Sequence, residues 1–153
     1  FHLFANTWSV IADVVPIVGY TLTYVFVSHR DYWGQRRVTA LIWTSAFLPY
    51  AAVMGPVFGA LPFFQISSAY WPIVLLIALH ALALWQREPA VARGLAFGAG
   101  VITVSLTFRS IDEIVCPAFP LGTHFLWHIL NGVALGWMIE VHRRHALATP
   151  LRA

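Results

Sequence analysis

The chain carries five long apolar segments, and each of them ends at charged residues, proline or glycine. Each is close to the ~20 mainly apolar residues that cross a bilayer as an α-helix. Only 10% of the 153 residues are charged and 59% are hydrophobic, against about 25% and about 45–50% in an ordinary soluble domain. This pattern excludes a disordered chain and predicts an all-α, polytopic transmembrane helix bundle. The predicted helices span residues 8–28, 38–58, 69–85, 91–108 and 121–141.

The distribution of arginine indicates how these helices are oriented. All nine basic residues are Arg, and eight of them cluster after the first, third and fifth predicted helices. The loop after the second helix has none, and the segment after the fourth has one Arg against two acidic residues. Short arginine-rich segments stay on the cytoplasmic side of a membrane. The pattern predicts a cytoplasmic C-terminus and puts residues 1–7 and the segment between the last two helices on the opposite side. Because the arginines form no stripe, the net charge of +3 does not indicate a nucleic-acid partner.

The beginning of the chain suggests a longer parent protein. Phe1 stands where a start Met is expected, and the apolar residues 1–4 lack the charged region and the cleavage site of a signal peptide. We therefore interpret residues 1–153 as a single transmembrane domain that is the C-terminal part of something longer. Cys116 is the one cysteine, which excludes a disulfide within the chain.

Asp13 is a carboxylate inside the first apolar segment, with no other charge close in sequence. An ionisable group in a membrane helix is costly and faces the bundle interior where it is tolerated. Pro16 lacks the amide hydrogen that would bond the carbonyl of Ala12, so the helix is expected to open beside the carboxylate. We expect a functional role for Asp13. The alternatives are a pair with an arginine of another helix or a cap at the interface.

His124 and His128 are four residues apart, which places both imidazoles on one face of a helix. Two histidines at this spacing bind one zinc ion in soluble zinc proteases, although Phe125 stands where those proteins have Glu. A catalytic zinc takes three protein ligands and keeps one position open for water. An interfacial histidine pair without metal is the alternative. The third-ligand candidates predicted on the same membrane side are His2, Asp13, Asp112, Glu113 and Cys116.

The remaining polar residues are predicted to have structural roles. Arg109 and Asp112 are expected first as an ion pair that holds the end of the fourth helix, with a contact to a lipid headgroup as the alternative. Trp127 is expected to face away from the histidine pair and to serve packing or the interfacial aromatic belt. Four histidines are expected to be ordinary interfacial or hydrogen-bonded side chains, far from the pair: His29, His80, His142 and His145.

Taken together, these residues resemble the alkaline ceramidase family, which belongs to the CREST superfamily of seven-helix membrane hydrolases. The pattern is a His, an Asp eleven residues later and a late His-x-x-x-His, in the same order and on the same membrane side. The resemblance covers the whole chain as the last five of seven helices, with two helices preceding Phe1. The segments that carry it are residues 1–2, 8–17, 106–112, 116–117 and 121–128.

The resemblance implies a zinc site formed by His2, His124 and His128, with Asp13 holding the water molecule. The family also has a Ser four residues before the first His, which here falls before Phe1. Some members have an N-terminal calcium-binding segment, and some pair one of its cysteines with a cysteine of the last external loop. The calcium-binding segment and its cysteine would both lie outside this chain. Cys116 is therefore either half of such a disulfide or a free, unreactive thiol.

The function implied is hydrolysis of the amide of ceramide or a related N-acyl lipid, which enters from the bilayer. Zinc lowers the pKa of water to about 7 and polarises the carbonyl, and Asp13 is the predicted proton acceptor. One alternative is a receptor-like protein of the same superfamily that keeps zinc with negligible turnover. Another is a haem-binding electron carrier, which is disfavoured because His80, its one mid-helix candidate, lies at the wrong depth. The oligomeric state is left open.

Overall fold

The computed structural model describes residues 7–149, which form five α-helices and no β-strand. The fold class is therefore all-helical, as predicted. The chain divides into two compact units, Phe1–Pro49 and Tyr50–Ala153, with the boundary inside the second helix. The helices are α1 (Thr7–Val27), α2 (Arg37–Gly59), α3 (Trp71–Leu84), α4 (Pro89–Val115) and α5 (His124–Ala148).

The first three helices begin and end within about two residues of the predicted bounds, but α4 and α5 are longer than predicted. The segment 109–115, which was expected to be a polar connection, continues α4 as regular helix. No glycine or proline interrupts it until Pro117, and polarity alone does not end a helix. At its other end, α5 extends to Ala148 because Glu140 pairs with Arg143 and Arg144 at the helical spacings of three and four residues.

The first unit contains α1 and a single π-helical turn, Ser28–Tyr32. α1 runs through Pro16 as continuous helix, so the helix does not open beside Asp13 as we expected. In the π-turn the hydroxyl of buried Tyr32 lies 3.0 Å from that of Tyr24. The imidazole of His29 stacks parallel on the indole of Trp43, with ring centres 5.1 Å apart. These contacts close the corner between α1 and α2 within this unit.

The core of the second unit is formed by aromatic and aliphatic side chains from α3, α4 and α5. Its buried members are Trp71, Val74, Ala99, Leu106 and Trp127. The helices α4 and α5 approach closely at two glycines, because a Cβ on Gly94 would lie 2.6 Å from Val141, and one on Gly98 2.7 Å from Met138. Small residues at such positions allow backbones to pack closely, as they do between membrane helices.

Two of the helices, α2 and α4, are long and apolar enough to cross a membrane by length and composition. α3 is also apolar but shorter. Along α2, large apolar side chains are exposed, for example Val38 at 69% and Val53 at 65%. A soluble monomer rarely exposes a continuous apolar surface of this kind. These features are compatible with an integral membrane protein.

Candidate metal and hydrolase site

The N-terminus of α5 is built around the carboxylate of Asp112, which comes from the last turns of α4. Its Oδ1 accepts the backbone N–H of Thr123 at 2.5 Å and that of His124 at 2.9 Å. These amides lack partners within the helix, and an acidic group there also suits the positive end of the helix dipole. The hydroxyl of Thr123 donates to the carbonyl of Phe108 at 2.6 Å and ties the same turn to α4. Asp112 therefore caps α5 across the connection.

Gly122 makes this connection sterically feasible. Its φ is +60°, a conformation that side-chain-bearing residues rarely adopt. A Cβ at this position would collide with Oδ1 of Asp112 and come within 3.0 Å of the Cys116 sulfur. Glycine thus allows the chain to turn tightly enough for the carboxylate to reach the first amides of α5.

The histidine pair lies in the first turns of α5, directly after the cap. The ring centres of His124 and His128 are 5.0 Å apart, so both imidazoles share one face as predicted. Nδ1 of His124 is 3.9 Å from Oδ2 of Asp112, so the carboxylate lies behind this imidazole. The spacing predicted the pair, whereas Asp112 was expected first as the ion-pair partner of Arg109.

Trp127 packs against both histidines, contrary to our expectation that it faces away from them. Its ring centre is 5.0 Å from that of His124 and 4.3 Å from that of His128. The indole is only 2% exposed, and Ser105 of α4 donates to its backbone carbonyl at 2.9 Å. The expected packing role is thus correct, but the direction was wrong. Trp127 gives the pair an apolar wall that restricts both rings.

Arg109 also contacts Trp127. It does not form the ion pair with Asp112 that was predicted. Its guanidinium carbon is 5.2 Å from the Trp127 ring centre and 5.1 Å from that of Tyr70. Nη1 donates to the carbonyl of Ile66 at 2.8 Å and to Oγ of Ser67 at 3.1 Å. The predicted ion pair is wrong because each of the two side chains bonds other partners. Arg109 holds the turn before α3 against α4, and Asp112 caps α5.

The donor set of the pair fits zinc as far as the structure describes it. Imidazole nitrogen is a common ligand of zinc, and His124 and His128 offer two such groups on one face of α5, with ring centres 5.0 Å apart. Within the described part of the chain, no group of three or more His, Cys, Asp or Glu side chains is arranged to hold a metal. The predicted third ligand, His2, lies outside the described residues, and so does the side chain of Asp13, although its backbone belongs to α1.

The other predicted candidates are placed as follows. Cys116 carries a free, partly buried thiol next to Gly122, and its predicted external disulfide stays a prediction. Glu113 is exposed at the end of α4. Nδ1 of His80 lies 2.9 Å from the carbonyl of Leu76, and Nδ1 of His145 lies 3.7 Å from Glu88. These last two histidines have the hydrogen-bonded and paired surroundings that were expected of them.

The site thus consists of a carboxylate cap, two imidazoles and one guanidinium around a buried tryptophan. Sequence reasoning identified the imidazoles and missed the roles of Trp127, Tyr70 and Ser67. Spacing gave no signal for Ser67, which is more than 40 positions from Arg109 in sequence. A comparison of the chain with family models, with curated proteins and with solved structures found no match in any of the three.

Proposed function

We propose that this chain holds zinc in a membrane-embedded hydrolase that cleaves the amide of ceramide or a related N-acyl lipid. The observation that carries the proposal is the pair His124 and His128, whose rings share one face of α5 with centres 5.0 Å apart. Asp112 behind His124 and Trp127 against both rings restrict the pair in the way that supporting residues restrict metal ligands. The resemblance to the alkaline ceramidase family supplies the reaction and the third ligand, His2.

We also propose that the five helices form a polytopic bundle with a cytoplasmic C-terminus and the zinc site toward the opposite side. The alternation of arginine-rich and arginine-poor connections supports this orientation. The exposed apolar surface of α2 supports contact with lipid rather than water. A lipid amide can then reach the site laterally from the bilayer, with its polar head near the start of α5.

The chemistry divides between the metal and the protein side chains. Bound zinc supplies a water molecule acidic enough to attack near neutral pH and a Lewis acid for the carbonyl oxygen. His124, His128 and His2 would hold the ion, and Trp127 covers one side of the pair and keeps bulk water from it. Asp13 would accept a proton from the water that attacks the amide carbon and would return it to the leaving amine nitrogen as the C–N bond breaks. The products are a fatty acid and a long-chain amine.

The zinc site is tested by elemental analysis of the purified protein beside two single variants. We expect about one zinc per chain and little in His124→Ala. The control His142→Ala removes an imidazole from the same helix near its other end and should keep the metal. Absence of zinc from the unmodified protein, or equal zinc in both variants, would remove the hydrolase proposal.

The role of Asp13 is tested separately, by hydrolysis of an N-acyl lipid. Asp13→Asn should keep zinc and lose hydrolysis, because the amide cannot accept the proton. Hydrolysis at the normal rate would make Asp13 structural. If the unmodified protein keeps zinc but turns over no lipid amide, the receptor-like alternative is favoured.

A further inference from the structure

A second site lies at the opposite end of the α4–α5 pair from the histidines. A cavity of about 640 Å³ opens between the start of α4 and the end of α5. Its volume falls within the range of about 300–1,000 Å³ that is typical of small-molecule sites. The residues of its lining that matter here are Glu88, Arg93, Phe97, Trp137, Arg144 and His145.

One wall of the cavity is aromatic and held in place. The ring centres of Phe97 and Trp137 are 4.8 Å apart in an edge-to-face arrangement. Nε1 of Trp137 donates to the carbonyl of Gly94 at 2.8 Å. With its one polar atom satisfied by the backbone of α4, the indole presents an apolar face to a ligand.

The other wall includes Arg93 and Arg144, whose guanidinium groups have hydrogen-bond donors that no described residue uses. Arg144 uses its Nε on Glu140 at 2.7 Å and lies over Trp137 at 5.7 Å, and its terminal nitrogens bond no residue in the range 7–149. Arg93 is exposed and makes neither an ion pair nor a hydrogen bond within that range. Two guanidinium forks therefore face the cavity, and guanidinium suits the oxygens of a phosphate.

The charges around the cavity favour an anion. Glu140 is already shared by Arg143 and Arg144, whose Nε atoms lie 2.6 and 2.7 Å from its carboxylate oxygens. The other carboxylate, Glu88, lies 3.7 Å from the Nδ1 of His145. Both carboxylates of the lining thus already lie beside a guanidinium or an imidazole, whereas Arg93 and the terminal nitrogens of Arg144 have donors for an anion.

We propose that this cavity binds the headgroup of an acidic phospholipid, with the phosphate on Arg93 and Arg144 and the glycerol and upper acyl chain against Phe97 and Trp137. The choice of a lipid over a soluble phosphate depends on the membrane placement proposed above, which puts this end of α4 and α5 at the cytoplasmic surface. Acidic lipids are concentrated there, and basic pockets between membrane helices bind their headgroups.

The test is displacement of fluorescent phosphatidic acid from the purified protein in neutral detergent. Unlabelled phosphatidic acid should displace it, and inorganic phosphate or phosphatidylcholine at the same concentration should not. Arg93→Gln and Arg144→Gln should each weaken binding about fivefold, the effect of one arginine near a lipid surface. The control Arg87→Gln removes the same charge from the preceding turn, outside the cavity lining, and should change binding less than twofold.

Three results would overturn the proposal. Equal weakening by Arg87→Gln and Arg93→Gln would mean that diffuse surface charge attracts the lipid. Displacement by inorganic phosphate would indicate a soluble phosphate ligand, and displacement by phosphatidylcholine would indicate apolar adsorption alone. Zinc content is measured on the same samples. A zinc-free protein that binds phosphatidic acid would refute only the hydrolase, and a zinc-loaded protein without lipid preference would refute only this site.

Discussion

Removal of the Asp112 carboxylate should uncap α5 and destabilise the second unit. In Asp112→Ala the backbone amides of Thr123 and His124 lose their common acceptor, Oδ1. A hydrogen bond to a charged group contributes about 1.5–3 kcal/mol. Since both bonds share one oxygen of a side chain that is 21% exposed, water can replace part of the loss. We expect the free energy of unfolding to fall by about 2–3 kcal/mol.

The variant Asp112→Asn separates the hydrogen bonds from the charge. Its amide oxygen can still accept both N–H groups, so only the interaction with the helix dipole and with His124 is lost. We expect a loss of about 0.5–1 kcal/mol. A free energy of unfolding that is slightly lowered in Asp112→Asn and much lower in Asp112→Ala would show that the hydrogen-bond acceptor matters more than the charge.

The assay is unfolding of the protein in detergent by increasing sodium dodecyl sulfate, followed through tryptophan fluorescence. Trp127 and Trp71 are both buried in the second unit and report loss of its core. The matched control is Glu113→Ala, which removes the same charge one position later from an exposed side chain and should change stability by less than about 0.5 kcal/mol. Equal stability of the two alanine variants would refute the capping role of Asp112.

Two further predictions use the same unfolding assay. Gly122→Ala should destabilise by more than about 1 kcal/mol because of its positive φ and the collision with the cap. Gly132→Ala, with open space around it inside α5, should be neutral or stabilising by up to about 1 kcal/mol, and equal effects would contradict the turn geometry. Arg109→Lys should cost about 1–2 kcal/mol, since an ammonium does not keep both the ring contacts and the two hydrogen bonds of the guanidinium, and an unchanged protein would show that the guanidinium is dispensable.

The positions of the helices were largely predictable because apolar length is a strong signal in this chain. The ends of α4 and α5 were not, since polar residues were taken as breaks. Residues 109–115 include Arg109, Asp112 and Glu113, but all are compatible with a helix, and the helix ends only before Pro117, Pro120 and Gly122. The real stop signals were therefore glycine with a positive φ and proline, rather than charge.

For the site, local spacing predicted what lies within one helix and failed between helices. His124 and His128 share a face because four residues make about one turn. Arg109 donates to Ile66 and Ser67, which lie 43 and 42 positions before it in sequence. No sequence pattern linked these residues. The direction of the Trp127 side chain was also predicted wrongly. A large ring on a helix can reach residues that its position in sequence places on a neighbouring face, and here it contacts both histidines.

The close approach of α4 and α5 at Gly94 and Gly98 has a mechanical consequence. α5 has 25 residues, a length of about 38 Å at about 1.5 Å per residue. Near its end, Val141 and Met138 sit against the glycines of α4, and at its start Asp112 of α4 holds its first amides. Axial sliding of one helix against the other is thus blocked at both ends, by shape at one and by charge at the other. We therefore expect the pair to move as a single rod, and a ligand that tilts the rod at the Arg93 end to displace the histidines at the other.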